Sequence, residues 1–89
     1  MNTPRKIFLN PPTSRSLQDI EYLYLTNKHI ITGAINKAGM SIDEACECVV
    51  GGIVLEYKET HGINIFDNLT MAVEYFINRY KEDLKTGRI

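Results

Sequence analysis

The sequence is short of the features that mark several large classes of protein. It has no tryptophan and only two cysteines and three prolines among its 89 residues. Its 10 basic and 11 acidic side chains give a formal net charge of −1. This near balance disfavours a protein that binds nucleic acid through charge, because such proteins carry a basic excess. No apolar run approaches the roughly 18 residues that a membrane span needs, so we expect no membrane insertion.

The two cysteines, Cys46 and Cys48, are separated by a single residue, so a disulfide between them would be strained. Small secreted proteins usually carry four or more cysteines. We therefore expect two reduced thiols and a cytoplasmic protein. The basic N-terminus precedes an apolar triplet that is far too short for the core of a signal peptide, so we expect no leader.

All three prolines lie within the first twelve residues. Proline interrupts a helix and drives the residue before it towards extended geometry. We expect residues 1–15 to form an extended arm and residues 16–89 a single helical domain. The apolar triplet of the arm, Ile7, Phe8 and Leu9, is expected to dock on this domain or on a neighbour.

Beyond the arm, the sequence predicts an all-α fold of three long helices, at about 16–38, 42–61 and 65–86, joined by short turns. Ser16 is expected to cap the first helix and Gly39 to end it. The β-branched, glycine-containing stretch around Thr32 and Gly33 is where this helix would most easily kink or break.

The second helix has the clearest start and stop. Ser41 and Glu44 have the spacing of a capping box, and Gly62 is expected to end the helix. Asn64 is expected to cap the third helix, whose predicted apolar stripe is Phe66, Leu69, Val73, Phe76, Tyr80 and Leu84. The short connections fit a bundle and an orthogonal arrangement equally well.

The middle helix has few charges, with Glu47 alone between residues 45 and 55. A helix that is apolar on every side is buried on every side, and two neighbours cover only part of it. Gly51 and Gly52 each cost about 1 kcal/mol relative to alanine, which favours a close approach by another backbone or a bend. Homo-oligomerisation through this helix is one interpretation and a tightly packed single-chain core the other. The candidate interface residues are Ile7, Phe8, Leu9, Cys48, Val50, Gly51, Gly52, Val54 and Leu55.

No metal or cofactor site is expected. Cys46 and Cys48 would diverge by about 200° on a helix and could not chelate one ion. His29 and His61 are isolated from other ligand types in sequence. A thiol paired with His61 would be a nucleophile, but small cysteines on an apolar helix are more often inert packing. We expect a protein that is not an enzyme.

Two further residue patterns could indicate a function, but a purely structural role explains each of them better. The acid pairs 44/47 and 56/59 share helix faces, as in helical magnesium-dependent nucleotide hydrolases, yet such pairs are usually solvated surface. Residues 34–45 have the rhythm of a helix-turn-helix. The second helix of that motif would present Asp43, Glu44 and Glu47 to phosphates, which disfavours DNA binding.

The function expected from these patterns is a non-enzymatic helical protein–protein interaction module. It would be a small regulator or inhibitor that acts as a homo-oligomer and binds itself and another protein. The alternative is a sensor or sponge for a small molecule, with its pocket where the helices of an oligomer meet. A helix-turn-helix DNA-binding regulator is the third hypothesis.

Overall fold

The computed structural model describes residues 16–66 and 68–89, with side chains described from residue 20 onward. Three helices make up this part of the chain: α1 (Ser16–Ala38), α2 (Ile42–His61) and α3 (Leu69–Lys85). The described residues contain no strand, so the predicted all-α fold is confirmed. The predicted arm of residues 1–15 lies outside the described residues. None of the three helices combines the length and the hydropathy that crossing a membrane requires.

The ends of α2 are fixed by the local signals that predicted them. The Ser41 side chain accepts a hydrogen bond from the Glu44 backbone N–H, and the Glu44 carboxylate accepts one from the Ser41 N–H, both at 3.1 Å. This is the predicted capping box. At the other end Gly62 adopts the left-handed conformation, with φ 69°, and its N–H donates to the Lys58 carbonyl.

The start of α3 differs from the prediction, and the expected cap at Asn64 is wrong. Asn68 caps the helix instead, and its side-chain oxygen accepts a hydrogen bond from the Met71 N–H at 3.1 Å. Ile63, Ile65 and Phe66 pack, partly buried, against the core. Because these side chains are buried in a segment that is not helical, α3 begins after Asn68 and not after Asn64.

Helix α1 is continuous through Thr32 and Gly33, where the sequence suggested a weak point. Ile31 is fully buried, and the Thr32 hydroxyl lies 2.8 Å from that of Tyr80 in a hydrogen bond between α1 and α3. Tertiary packing therefore stabilises a stretch of low intrinsic helix propensity.

The core lies between α2 and its two neighbours, while α1 and α3 meet through a smaller patch. The side chain of Tyr24 packs edge-to-face on Phe76 with ring centroids 5.5 Å apart. The buried hydrophobic residues are Leu23, Tyr24, Ile31, Ala45, Cys46, Val49, Val50, Ile53, Ala72, Phe76 and Tyr80. On α3 the buried positions 72 and 83 were missing from the predicted stripe, whereas Leu69 and Leu84 are about half exposed (50% and 49%).

Candidate interaction surface

One side of α2 faces away from both neighbouring helices. Cys48, Gly51, Gly52 and Leu55 lie on consecutive turns of this side, and all four are exposed, with Leu55 at 58%. We call these four residues the outer face of α2. The sequence predicted burial of α2 on every side, but α1 and α3 cover only the side opposite this face. The outer face is therefore an uncharged patch without cover from the described residues, and exposed Glu44 and Glu59 lie one turn beyond its two ends.

The two glycines of the outer face have no role in packing the described chain. No heavy atom from a neighbouring described element lies within 4 Å of the position that a Cβ would take at Gly51 or Gly52. Neither has a positive φ that would require glycine. The sequence favoured either a close backbone approach or a bend at these positions. The close approach is not made within the described residues, although each glycine weakens the helix by about 1 kcal/mol.

A groove of about 490 Å³ lies beside the outer face, between α2 and the N-terminal half of α3. Leu69, Val73 and Ile77 are its apolar residues, and the missing side chain of Gly51 helps to keep it open. We call it the α2–α3 groove; it is lined by Glu47, Gly51, Leu69, Thr70, Val73, Glu74 and Ile77. The groove combines an apolar row on α3 with an acidic residue from each helix.

The structure places the predicted interface residues in three different environments. Cys48, Gly51, Gly52 and Leu55 form the outer face, whereas Val54 is partly buried against the core. Val50 is fully buried in the chain's own core and is therefore removed from the candidate surface. The predicted arm residues Ile7, Phe8 and Leu9 lie outside the described residues.

The sequence did not predict the α3 side of the groove, because it assigned Leu69 and Val73 to the core. Val73 does pack, partly buried, against the core, whereas Leu69 is half exposed. The available signal was a second apolar row, at positions 69, 73 and 77, beside the row at 72, 76 and 80. Two adjacent rows are wider than the stripe that a single neighbouring helix covers. The outer row is the one that lines the groove.

A buried carboxylate joins α1 to α3 away from this surface. Asp83 is fully buried, and its Oδ2 accepts hydrogen bonds from the Tyr24 hydroxyl at 2.7 Å and from the Lys28 ammonium at 3.2 Å. Burial favours the neutral acid, but these two hydrogen bonds and the positive charges of Lys28 and Arg79 outweigh it and lower the pKa of Asp83. The cluster is a charged clamp between α1 and α3.

The cysteines and histidines differ in burial and in their contacts. Burial raises the pKa of the Cys46 thiol to about 11, so the thiolate is scarce at neutral pH. Cys48 is exposed, and His61 stacks on Tyr57 with ring centroids 5.4 Å apart. No group of three potential metal-ligating side chains occurs in the part of the chain that the structure describes.

The start of α2 carries the acidic residues that made DNA binding a weak hypothesis. Asp43, Glu44 and Glu47 are all exposed, so the helix that would enter the DNA groove presents negative charge.

Comparison with known proteins finds no matching family model, no matching curated protein and no matching solved structure. The surface formed by α2 and α3 is the candidate functional site.

Proposed function

We propose that this protein is a non-enzymatic helical interaction module that self-associates through the outer face of α2 and the adjoining α2–α3 groove. The observation that carries the proposal is the pair of mid-helix glycines, Gly51 and Gly52, with open space above them and an apolar groove beside them. A partner helix or strand lying on this face would make the close approach that the described chain does not.

Continuity distinguishes this surface from ordinary exposed leucines. Single exposed apolar side chains such as Leu25 are common on soluble domains and need no explanation. Here Leu55, the two glycines and the apolar side of the groove adjoin one another on neighbouring helices. A domain of this size also buries a limited share of its surface by itself and gains stability from association.

Self-association fits the chemistry of the outer face. Small residues at Cys48, Gly51 and Gly52 would let two copies of α2 approach closely, in the manner of small-residue helix contacts. A two-fold arrangement would place the same patch on both copies and close the assembly. As a regulator or inhibitor in the cytoplasm, the assembly would present its remaining surface to a second protein.

Small-molecule binding is the second candidate, and the volume of the groove is the observation that favours it. About 490 Å³ falls within the range of small-ligand sites, and the apolar row on α3 would suit an apolar ligand. Native mass spectrometry of the protein purified from its host distinguishes the two candidates. A retained small molecule supports this candidate, and a mass of two or more bare chains supports self-association.

Sedimentation velocity across a wide concentration range tests the proposal, with Leu55→Lys as the variant and Leu25→Lys as its matched control. Both leucines are about half exposed, at 58% and 48%, so neither substitution disturbs the core. We expect the unsubstituted chain and Leu25→Lys to assemble as concentration rises, and Leu55→Lys to stay monomeric. A monomer at every concentration would overturn self-association, and equal assembly of both variants would overturn its assignment to this face.

A further inference from the structure

Charge is distributed unevenly along this nearly neutral chain. The first 18 residues contain three basic side chains, Arg5, Lys6 and Arg15, and no acidic one. Residues 19–89 contain the remaining seven basic and all eleven acidic side chains, a net charge of −4. Arg5 and Lys6 directly precede the apolar triplet Ile7, Phe8 and Leu9. The segment 5–9 is therefore a short basic and apolar sequence attached to an acidic domain.

The α2–α3 groove has the complementary character. Its lining contains two acidic side chains, Glu47 and Glu74, and no basic one. Both are exposed, and neither forms an ion pair with another described residue, whereas Glu21 pairs with Arg79 at 3.4 Å. The rest of the lining is glycine, threonine and the apolar row at 69, 73 and 77.

We propose that the α2–α3 groove binds the segment 5–9 of a second copy of this chain. Arg5 and Lys6 lie against the carboxylates of Glu47 and Glu74, and the apolar triplet packs on the row at 69, 73 and 77. This inference rests on the proposed self-association and adds a second contact between the two copies. Electrostatic complementarity orients the segment, and burial of the triplet supplies the affinity.

The length of the intervening chain sets how far the segment extends from its own domain. Six residues separate Leu9 from Ser16, the first residue of α1, and this link spans about 23 Å when extended. The described domain is 33 Å in its longest dimension, so the extended link covers about two thirds of that length. Reciprocal exchange between two copies makes a closed dimer with two identical contacts.

Two charge-reversed full-length chains test the proposal. One carries Arg5→Glu and Lys6→Glu, and the other carries Glu47→Lys and Glu74→Lys. Each variant alone is expected to dimerise about tenfold more weakly, because complementary contacts become like-charge contacts. In an equimolar mixture every segment again meets a groove of opposite charge, so heterodimers are expected at the affinity of the unsubstituted chain. Sedimentation velocity measures both, and circular dichroism checks that each variant folds.

The remaining outcomes separate this inference from the proposed function. If either variant dimerises as tightly as the unsubstituted chain, the segment is not the occupant of the groove. If the mixture restores nothing, exchange between copies is overturned. In both cases self-association itself stands. Restoration only when all four substitutions are placed in one chain would show docking within a single copy and overturn the exchange. An unsubstituted chain that stays monomeric overturns the proposed function as well. Phe8→Ser tests the apolar part and is expected to weaken dimerisation without changing helicity.

Discussion

Tyr24→Phe removes one oxygen atom from the centre of the clamp between α1 and α3. The Tyr24 ring is fully buried and would keep its edge-to-face contact with Phe76. What the substitution deletes is the hydroxyl that donates to Asp83 at 2.7 Å. Within the described residues, the Lys28 ammonium would then be the remaining hydrogen-bond donor to this buried carboxylate. We therefore expect a large loss of stability from a small change in shape.

The magnitude follows from the charge of the partner. A hydrogen bond to a charged group contributes about 1.5–3 kcal/mol, and loss of Tyr24 leaves Asp83 short of donors, so we expect a loss of about 2–3 kcal/mol. Tyr80→Phe is the matched control because it removes the same atom from a hydrogen bond of 2.8 Å to Thr32, a neutral partner. That bond should contribute about 1 kcal/mol. The two melting temperatures should differ by about 5–10 °C.

Urea denaturation followed by circular dichroism measures both losses, at a protein concentration low enough to keep the chain dissociated. The slope of the free energy of unfolding against urea should stay constant across the three proteins, since the same surface is exposed on unfolding. Equal losses for Tyr24→Phe and Tyr80→Phe, or a larger loss for Tyr80→Phe, would refute the assignment of Asp83 as a buried, charged acceptor.

Three further predictions follow from the same structure. The pKa of Asp83 is lower in the folded chain than its unfolded value of about 3.9, so the stability that its ionised form contributes is complete above about pH 5 and declines as the pH falls towards the folded pKa. Urea midpoints measured against pH should show this decline, and Asp83→Asn should make the decline smaller. Gly52→Ala and the control Gly33→Ala should each raise the free energy of unfolding by about 1 kcal/mol, since a methyl group has open space at both positions among the described elements. In sedimentation velocity Gly52→Ala should weaken assembly, whereas Gly33→Ala should leave it unchanged. Asn68→Ala should cost about 1 kcal/mol in urea denaturation and Asn64→Ala almost nothing, because Asn68 makes the capping hydrogen bond.

The sequence predicts the fold best where both ends of a helix carry local signals. The bounds of α2 follow from the capping box of Ser41 and Glu44 and from the glycine stop at Gly62, which act between residues close together in the chain. The start of α3 offers two asparagines, and local chemistry does not choose between them. That choice depends on how the intervening apolar residues pack against the rest of the core, which is a tertiary effect.

The candidate surface was predicted only in part, for a similar reason. Composition showed that α2 is apolar on most sides, but it did not show which side its neighbours would cover. Val50 is buried in the core, whereas Cys48 and Leu55 are exposed. Asp83 shows the opposite case: it has the sequence pattern of a surface acid, yet Tyr24 and Lys28, more than 50 positions away in the chain, hold it buried.

Concentration-dependent NMR of the isotopically labelled full chain tests the central claim most directly, because the backbone amides of the outer face of α2 report contact residue by residue. We predict that the amide resonances of Gly51, Gly52 and Leu55 shift progressively as the protein is concentrated, while those of Leu25 and Ile30, exposed on α1, stay in place. Resonances that do not change with concentration, or changes confined to α1, would contradict self-association through α2.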